Sequence, residues 1–341
     1  YSSETNKQWS YVPTDNAEKF ATAEYLGSTD SLILLLESKK KSGSARKLSV
    51  SLVGIDVYSK KKVFEIEENE NDEYKFFPAS VAYMKEKGTF ILMGTFFDQN
   101  ANIGKDASRG LGIAEITTKG KILSRTYNTW AGDFAKYLPT NSKGKVDKIG
   151  FLYIHRIIKA ANGKLFAVGE GYKKTASAGG IALTALGAMS GYGRTANTTQ
   201  IVITDMVMME FNDRFKVTNA TIFDKTNNTF SPLGGGIDFV SQHALALYLK
   251  ASGEFDYEFT TTEPDNSSFT VCYSDWVRSG EYKGRTFNAI RYNGDKYVTD
   301  RIQLNSNTKR MKVFPAKAGS VMILEYFKKE KKIDLRLEKL G

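Results

Sequence analysis

Cysteine is almost absent from this 341-residue chain, which contains only Cys272. A single cysteine excludes an intramolecular disulfide, so packing must hold the fold together. Because the residues 269–273 around Cys272 alternate between apolar and polar, we expect a buried thiol that packs as a small hydrophobic group. A reactive thiol is the alternative.

Long apolar runs are also lacking. The best candidates, 32–36 and 181–189, are much shorter than the roughly 18 residues that a membrane-spanning helix needs. The chain starts at Tyr1, and no basic segment followed by an apolar one precedes the first strand-like stretch. We therefore predict no transmembrane segment, and we expect either a removed signal segment or a trimmed chain.

Histidine is the next scarce residue, with only His155 and His243. No cluster of histidine and cysteine accompanies them, and neither Gly-x-Ser-x-Gly nor His-Glu-x-x-His occurs. The sequence therefore predicts no catalytic residue, no metal site and no cofactor. Both histidines lie on stretches predicted as the first strand of a repeat, where we expect them to line a channel and contact a ligand. A hydrogen-bonded histidine in the core is the alternative.

Positive charge is in excess, with 48 Lys and Arg against 38 Asp and Glu, a formal net charge of +10. This balance favours polyanions or anionic surfaces as partners. The lysine runs 39–41, 60–62 and 328–332 fall at expected turns, where a solvated turn is the simpler interpretation. No nucleic-acid-binding motif is present, and the oligomeric state is not predicted.

A short pattern recurs along the chain: a turn residue, a small or polar residue, and four mostly apolar residues. Each copy follows another strand-like stretch, and most copies precede a second hairpin. This arrangement predicts units of two hairpins. The copies begin at Asp30, Gly88, Gly163, Gly253 and Gly319.

The repeat predicts an all-β chain, a β-propeller of five blades with four antiparallel strands each, as one domain over 1–341. The closing strand, 7–13, would complete the last blade and remove exposed edges. The fourth blade is expected to begin with a strand over 239–249. Two β-sandwich domains are the alternative. The blades are predicted at 17–67, 76–130, 150–226, 237–305 and 310–341.

This strand pattern resembles β-propellers in general, and a family of uncharacterised secreted bacterial propeller-like proteins in particular. The resemblance covers most of the chain. It implies a secreted, periplasmic or cell-surface location. It carries no functional residue, because the Trp-Asp pairs of WD40 blades, the Gly-Gly pairs of kelch blades and the Asp boxes of sialidases are all missing.

Residues 173–200 depart from the repeat in the third blade. Alanine and leucine are frequent there, and Ile181 and Met189 share one face of a predicted short helix. We expect this insertion to cap one face of the propeller, and the alternatives are a loop that docks a partner or touches a membrane, and a flexible linker. The candidate docking residues are Ile181, Leu183, Leu186 and Met189.

Two further groups of side chains are candidates for ligand contact. Tyr127, Trp130 and Tyr137 lie in the loop between the second and third blades, where aromatic rings can present a recognition surface. Asp133, Glu170 and Asp238 lie near expected strand ends. A glycosidase needs two such acids about 5–9.5 Å apart.

Three functions follow from these observations. The first is a non-enzymatic binding or scaffold protein that recognises a protein or a glycan. The second is a carbohydrate-active hydrolase with a carboxylate pair in the channel. The third is a polyanion-binding protein.

Overall fold

The computed structural model describes residues 8–12, 20–40, 49–67, 71–177, 199–230, 240–278, 280–304, 308, 311–317 and 319–340. The chain forms two compact units. The first contains residues 1–99 and 112–125, and the second contains residues 100–111 and 126–341. In the described ranges most of the regular secondary structure is β-strand, which confirms the predicted all-β fold class.

Five antiparallel sheets account for the described strands. The first sheet has strands β1 to β4, and the second, most of which lies in the first unit, has β5 to β8. Their bounds are β1 Phe20–Ser28, β2 Leu32–Lys40, β3 Ser49–Asp56, β4 Lys62–Glu67, β5 Tyr74–Met84, β6 Thr89–Asp98, β7 Gly110–Thr117 and β8 Ile122–Thr129.

The other three sheets belong to the second unit. The third has strands β9 to β12 with the short β13 beside β11, the fourth has β14 to β17, and the fifth has β18 to β20. Their bounds are β9 Phe151–Lys159, β10 Leu165–Ala176, β11 Thr199–Phe211, β12 Val217–Phe223, β13 Asn228–Phe230, β14 Tyr257–Thr262, β15 Phe269–Val277, β16 Gly284–Tyr292, β17 Tyr297–Gln303, β18 Met311–Pro315, β19 Ser320–Phe327 and β20 Lys332–Lys339.

Apart from β13, the strands of each sheet follow chain order, with each strand beside the next one. This up-and-down order is that of propeller blades. The predicted two-hairpin unit is therefore present in the first four sheets. The number of blades in a closed ring stays a prediction.

Burial follows the position of a strand within its sheet. Two of the second strands are buried on both faces: nearly all of β6 and most of β10 are buried. The last strand β20 alternates between half-buried and exposed positions, as an outer strand with one solvated face should. In the second unit, aromatic rings fill the space between the third and fourth sheets, where Phe166, Phe269 and Tyr292 have ring centroids 4.6–5.2 Å apart.

The glycine that opens three copies of the repeat has one shared role. Gly88, Gly163 and Gly319 each lie in the turn before the second strand of a sheet, with φ of 62°, 82° and 68°. No atom lies within 4 Å of an added Cβ at any of the three. The backbone conformation, and not lack of space, therefore explains the glycine.

The prediction for the start of the fourth blade is wrong. Residues 242–252 form the helix α1 (Gln242–Ser252) and not a strand. Ser241 caps the helix by accepting a hydrogen bond from the Ala244 N–H at 3.2 Å, and Gly253 ends it with φ of 69°. Leu245 and Leu249, four residues apart, are buried on one helix face.

The N-terminal segment also differs from its prediction. Residues 8–12 form no strand, and the fifth sheet has three described strands. Tyr11 lies instead against the first sheet, where burial and a hydrogen bond to Glu37 raise its pKa. The strand that 7–13 was predicted to add to the last blade is therefore not formed by its described part.

Most of the predicted 173–200 insertion lies outside the described residues. Its two ends are strand, because β10 continues to Ala176 and β11 starts at Thr199. The candidate docking residues Ile181, Leu183, Leu186 and Met189 all lie in the part that is not described. None of the helices in the described ranges is long and apolar enough to cross a membrane.

The turn glycines generate a stability prediction. We expect Gly163→Ala to lower the free energy of unfolding by about 1–2 kcal/mol, since a Cβ disfavours positive φ. Gly163→Asn is the matched control and should cost less, because asparagine tolerates this conformation. Urea unfolding followed by circular dichroism measures both variants. Equal stability of the two variants would contradict the conformational explanation.

Candidate functional site

A cleft of about 1160 Å³ opens in the second unit. The first strands of three consecutive sheets line it, namely β9, β14 and β18. Two loops, 226–228 and 253–256, and the end of β15 complete its wall. Side chains from well-separated parts of the chain therefore meet in one place, which makes this cleft the candidate site.

Glu170 on β10 is wholly buried behind the cleft. Its carboxylate accepts the backbone N–H groups of Asp256 and Tyr257, both at 3.1 Å, and lies 3.0 Å from His155 Nε2. Burial acts to raise the pKa of Glu170, but the hydrogen bond and charge of His155 and the charge of Lys225 outweigh it and hold the pKa below its usual value. Glu170 is therefore an ionised anchor.

Lys225 brings a second carboxylate into the same network. Its buried ammonium group lies 3.3 Å from Glu170 Oε1 and 2.5 Å from Asp256 Oδ2. Burial acts to lower the pKa of Lys225, but the charges of Asp256 and Glu170 outweigh it and raise the pKa. Lys225 is therefore a cation at neutral pH and not a nucleophilic amine.

Asp256 differs from Glu170 although both contact Lys225. Burial raises the pKa of Asp256 to about 6, and the nearby charge of Glu170 adds to the effect, against the opposing pull of Lys225. Both carboxylates contact the same ammonium group, but they differ in their other partners. Glu170 accepts two backbone N–H groups and contacts His155, whereas within the described part of the chain the Asp256 side chain contacts only Lys225 and Asn228, the latter at 3.2 Å. The proton therefore goes to Asp256 first.

His155 lies where β9 meets the cleft. Its ring stacks on Tyr257 at 4.5 Å between centroids and contacts the ring of Phe255 edge-on at 4.8 Å. With Nε2 held by Glu170, both the orientation and the position of the imidazole are set. The residue lines the cleft although its side chain is only 7% exposed.

The outer wall of the cleft carries a more exposed set of groups. Trp276, at the end of β15, is 53% exposed. Glu258 Oε1 accepts hydrogen bonds from Ser274 at 2.5 Å and from Arg285 at 3.1 Å. Asp275 is buried and accepts the backbone N–H groups of Thr226 and Trp276. The wall therefore presents an aromatic face beside fixed polar groups.

The structure separates the two histidines that the sequence suggested as channel residues. His155 lines the cleft, but His243 lies on α1 and is not among the residues that line it. The aromatic candidates lie elsewhere too. Trp130 is only 2% exposed and donates from Nε1 to Ser108 Oγ at 3.1 Å. Tyr127 is half-buried, and Tyr137 is 39% exposed.

The three candidate acids have different surroundings. Glu170 lies behind the cleft, as described above. Asp133 accepts the Thr129 N–H at 2.8 Å and the Thr129 hydroxyl at 3.1 Å, which makes it a turn-forming residue. Asp238 lies outside the described residues. No group of three or more His, Cys, Asp and Glu side chains that could hold a metal occurs in the described ranges.

Sequence reasoning missed Lys225, Asp256 and Trp276. One signal for Asp256 was available, since the acids at 254, 256 and 258 interrupt the weakest copy of the repeat. No comparable signal marks Lys225, which is one of many lysines.

Comparison with known proteins adds a family. A family described as "Family of unknown function (DUF6770)" matches residues 1–341. A search of curated proteins found no match.

The solved structures that match this chain have low sequence identity to it. Hydrazine synthase of Kuenenia stuttgartiensis has a TM-score of 0.39 at 10% identity, over 93% of this chain and 80% of that chain. The β-propeller domain of the Trilobed protease from Pyrococcus furiosus has a TM-score of 0.38 at 10% identity, over 94% and 70%. A levansucrase mutant of B. megaterium has a TM-score of 0.39 at 11% identity, over 99% and 91%. Likenesses of this size do not identify a function or a site in this chain.

The raised pKa of Asp256 generates a prediction about stability and pH. The folded protein holds this proton more tightly than the unfolded chain, whose ordinary value is 3.8. The stabilisation is therefore complete below about pH 4 and is lost as the pH rises through about 6. We expect the free energy of unfolding of Asp256→Asn, minus that of the native protein, to rise by about 1–3 kcal/mol between these limits.

Urea unfolding at several pH values measures this difference. Asp213→Asn, at an exposed turn, is the control for the loss of a carboxylate outside the cleft. A pH-independent difference for Asp256→Asn would show that folding leaves the pKa of Asp256 unchanged, which contradicts the prediction.

Proposed function

Because the chain belongs to a family of unknown function (DUF6770), we propose a function from the cleft itself: the protein binds a glycan there without changing it chemically. The cleft has a volume of about 1160 Å³, which is above the range of about 300–1,000 Å³ for small-ligand sites. This volume accommodates several sugar residues of an oligosaccharide.

The observation that carries the proposal is the exposed indole of Trp276. The Trp276 side chain is 53% exposed, so about half of its apolar surface contributes no burial free energy to the fold. The apolar face of a sugar ring covers such an indole well, and its hydroxyl groups then need fixed partners. The wall supplies them in Glu258, Ser274 and Arg285, whose mutual hydrogen bonds hold each group in position.

Binding is favoured over hydrolysis because one of the two acids is not available. Glu170 and Asp256 lie close together, because both contact Lys225. However, both oxygens of Glu170 are occupied by His155, Lys225 and two backbone N–H groups, and Glu170 does not line the cleft. A carboxylate in this position cannot reach a sugar.

One observation favours glycoside hydrolysis as a second candidate function. Asp256 lines the cleft and has a pKa of about 6, which suits a general acid near neutral pH. Glu258, the second residue of β14, also lines the cleft and is the second carboxylate for such a reaction. It would act from its hydrogen-bonded position beside Arg285.

The binding function predicts the behaviour of a tryptophan variant. We expect Trp276→Ala to weaken the binding of an oligosaccharide about tenfold, since the stacking surface is lost. A panel of soluble neutral and acidic oligosaccharides, followed by calorimetry, identifies the ligand. Tyr58→Ala is the matched control, because Tyr58 is 75% exposed and lies in the first unit. The proposal fails if no member of the panel binds, or if Trp276→Ala binds as tightly as the native protein.

The hydrolase candidate has its own test. The same oligosaccharides are incubated with the protein, and new reducing ends are measured. If hydrolysis occurs in the cleft, Asp256→Asn should slow it by about a hundredfold or more, and Asp213→Asn should leave it unchanged. The absence of new reducing ends with every ligand that binds would rule out this candidate.

A further inference from the structure

Two aromatic–cation pairs line the rim of the cleft. Trp276 lies on β15, and Arg278 directly follows Val277, the last residue of that strand. Lys312 and Phe314 are two residues apart on β18, so their side chains leave the same face of that strand. All four residues line the cleft and are exposed. The rim thus repeats one arrangement, an apolar ring beside a positive charge, on two different sheets.

The acids of the cleft are already engaged within the protein. Asp256 pairs with Lys225, Glu258 pairs with Arg285, and Asp275 accepts backbone N–H groups. Glu254 is the remaining acid of the lining, and burial raises its pKa. The carboxylates therefore do little to attract a cationic ligand.

Arg278 is engaged differently. Its single hydrogen bond to another described residue runs from Nη2 to the backbone oxygen of Asn227, at 3.1 Å. A guanidinium group has five N–H donors in a planar fork that matches a carboxylate. The bond to Asn227 orients the group, and the other donors, which have no partner among the described residues, can reach a ligand beside Trp276.

We propose that the cleft selects glycans that carry carboxylate groups, with a uronic acid ring on Trp276 and its carboxylate on Arg278. This inference rests on the proposed glycan-binding function and names its ligand class. Lys312 beside Phe314 provides the corresponding contact for a second acidic sugar of the same chain. The net charge of +10 also favours the approach of an acidic polymer.

A matched pair of ligands tests the proposal. Tetragalacturonate and its fully methyl-esterified form have the same sugar rings, but only the first carries negative charge. We expect calorimetry to measure binding of the acid at least about tenfold tighter than that of the ester, since hydrogen bonds to charged groups are worth more. Arg278→Gln should remove this preference. Arg214→Gln, at an exposed turn outside the cleft, should keep it.

The outcomes separate this inference from the function on which it rests. Equal binding of acid and ester, or an unchanged preference in Arg278→Gln, overturns the acidic-glycan inference and leaves glycan binding intact. Failure of both ligands and of the whole neutral panel overturns glycan binding itself. Single-stranded DNA that binds as tightly as tetragalacturonate and depends equally on Arg278 overturns the glycan class in favour of polyanions in general.

Discussion

The buried ammonium group of Lys225 is the interaction on which the candidate site depends. It contacts Glu170 of the third sheet and Asp256 at the entrance to the fourth. Taking such charges out of water costs several kcal/mol for each ion, and the cost is recovered only when the network is complete. The backbone N–H groups of Asp256 and Tyr257 complete it on Glu170. The loop before β14 is therefore tied to β10 by charge as well as by packing.

This arrangement divides the cleft into a sealed floor and an open rim. At the floor, His155 is held between Glu170 and the ring of Tyr257, and each polar group there has a protein partner. At the rim, Trp276 and Arg278 are exposed. Groups that are already satisfied hold a geometry, whereas exposed groups that face a cleft gain most from a ligand. We therefore expect the residues of the rim to contact the ligand and the residues of the floor to hold the rim in position.

Much of the fold could be predicted from the sequence, because local rules set it. The glycine of the repeat marks a positive φ at Gly88, Gly163 and Gly319, and the strands around these turns were predicted close to their observed bounds. The same signal misled at Gly253, which also has a positive φ, of 69°, but ends α1. A left-handed glycine serves both a hairpin turn and a helix end. The Ser241 cap and the leucines of the helix were needed to distinguish the two.

The candidate site was far less predictable, because its residues come from separate sheets. Glu170 and His155 could be named as candidates, because the repeat placed Glu170 near an expected strand end and His155 on an expected first strand. Lys225, the partner of Glu170, looks like any other lysine. Nothing local requires a lysine there. The requirement arises only when β10 and the loop before β14 bring two carboxylates to one point. Local sequence patterns therefore predict the strands and turns within each sheet. They do not predict the polar network of the cleft, which forms where the first strands of different sheets meet.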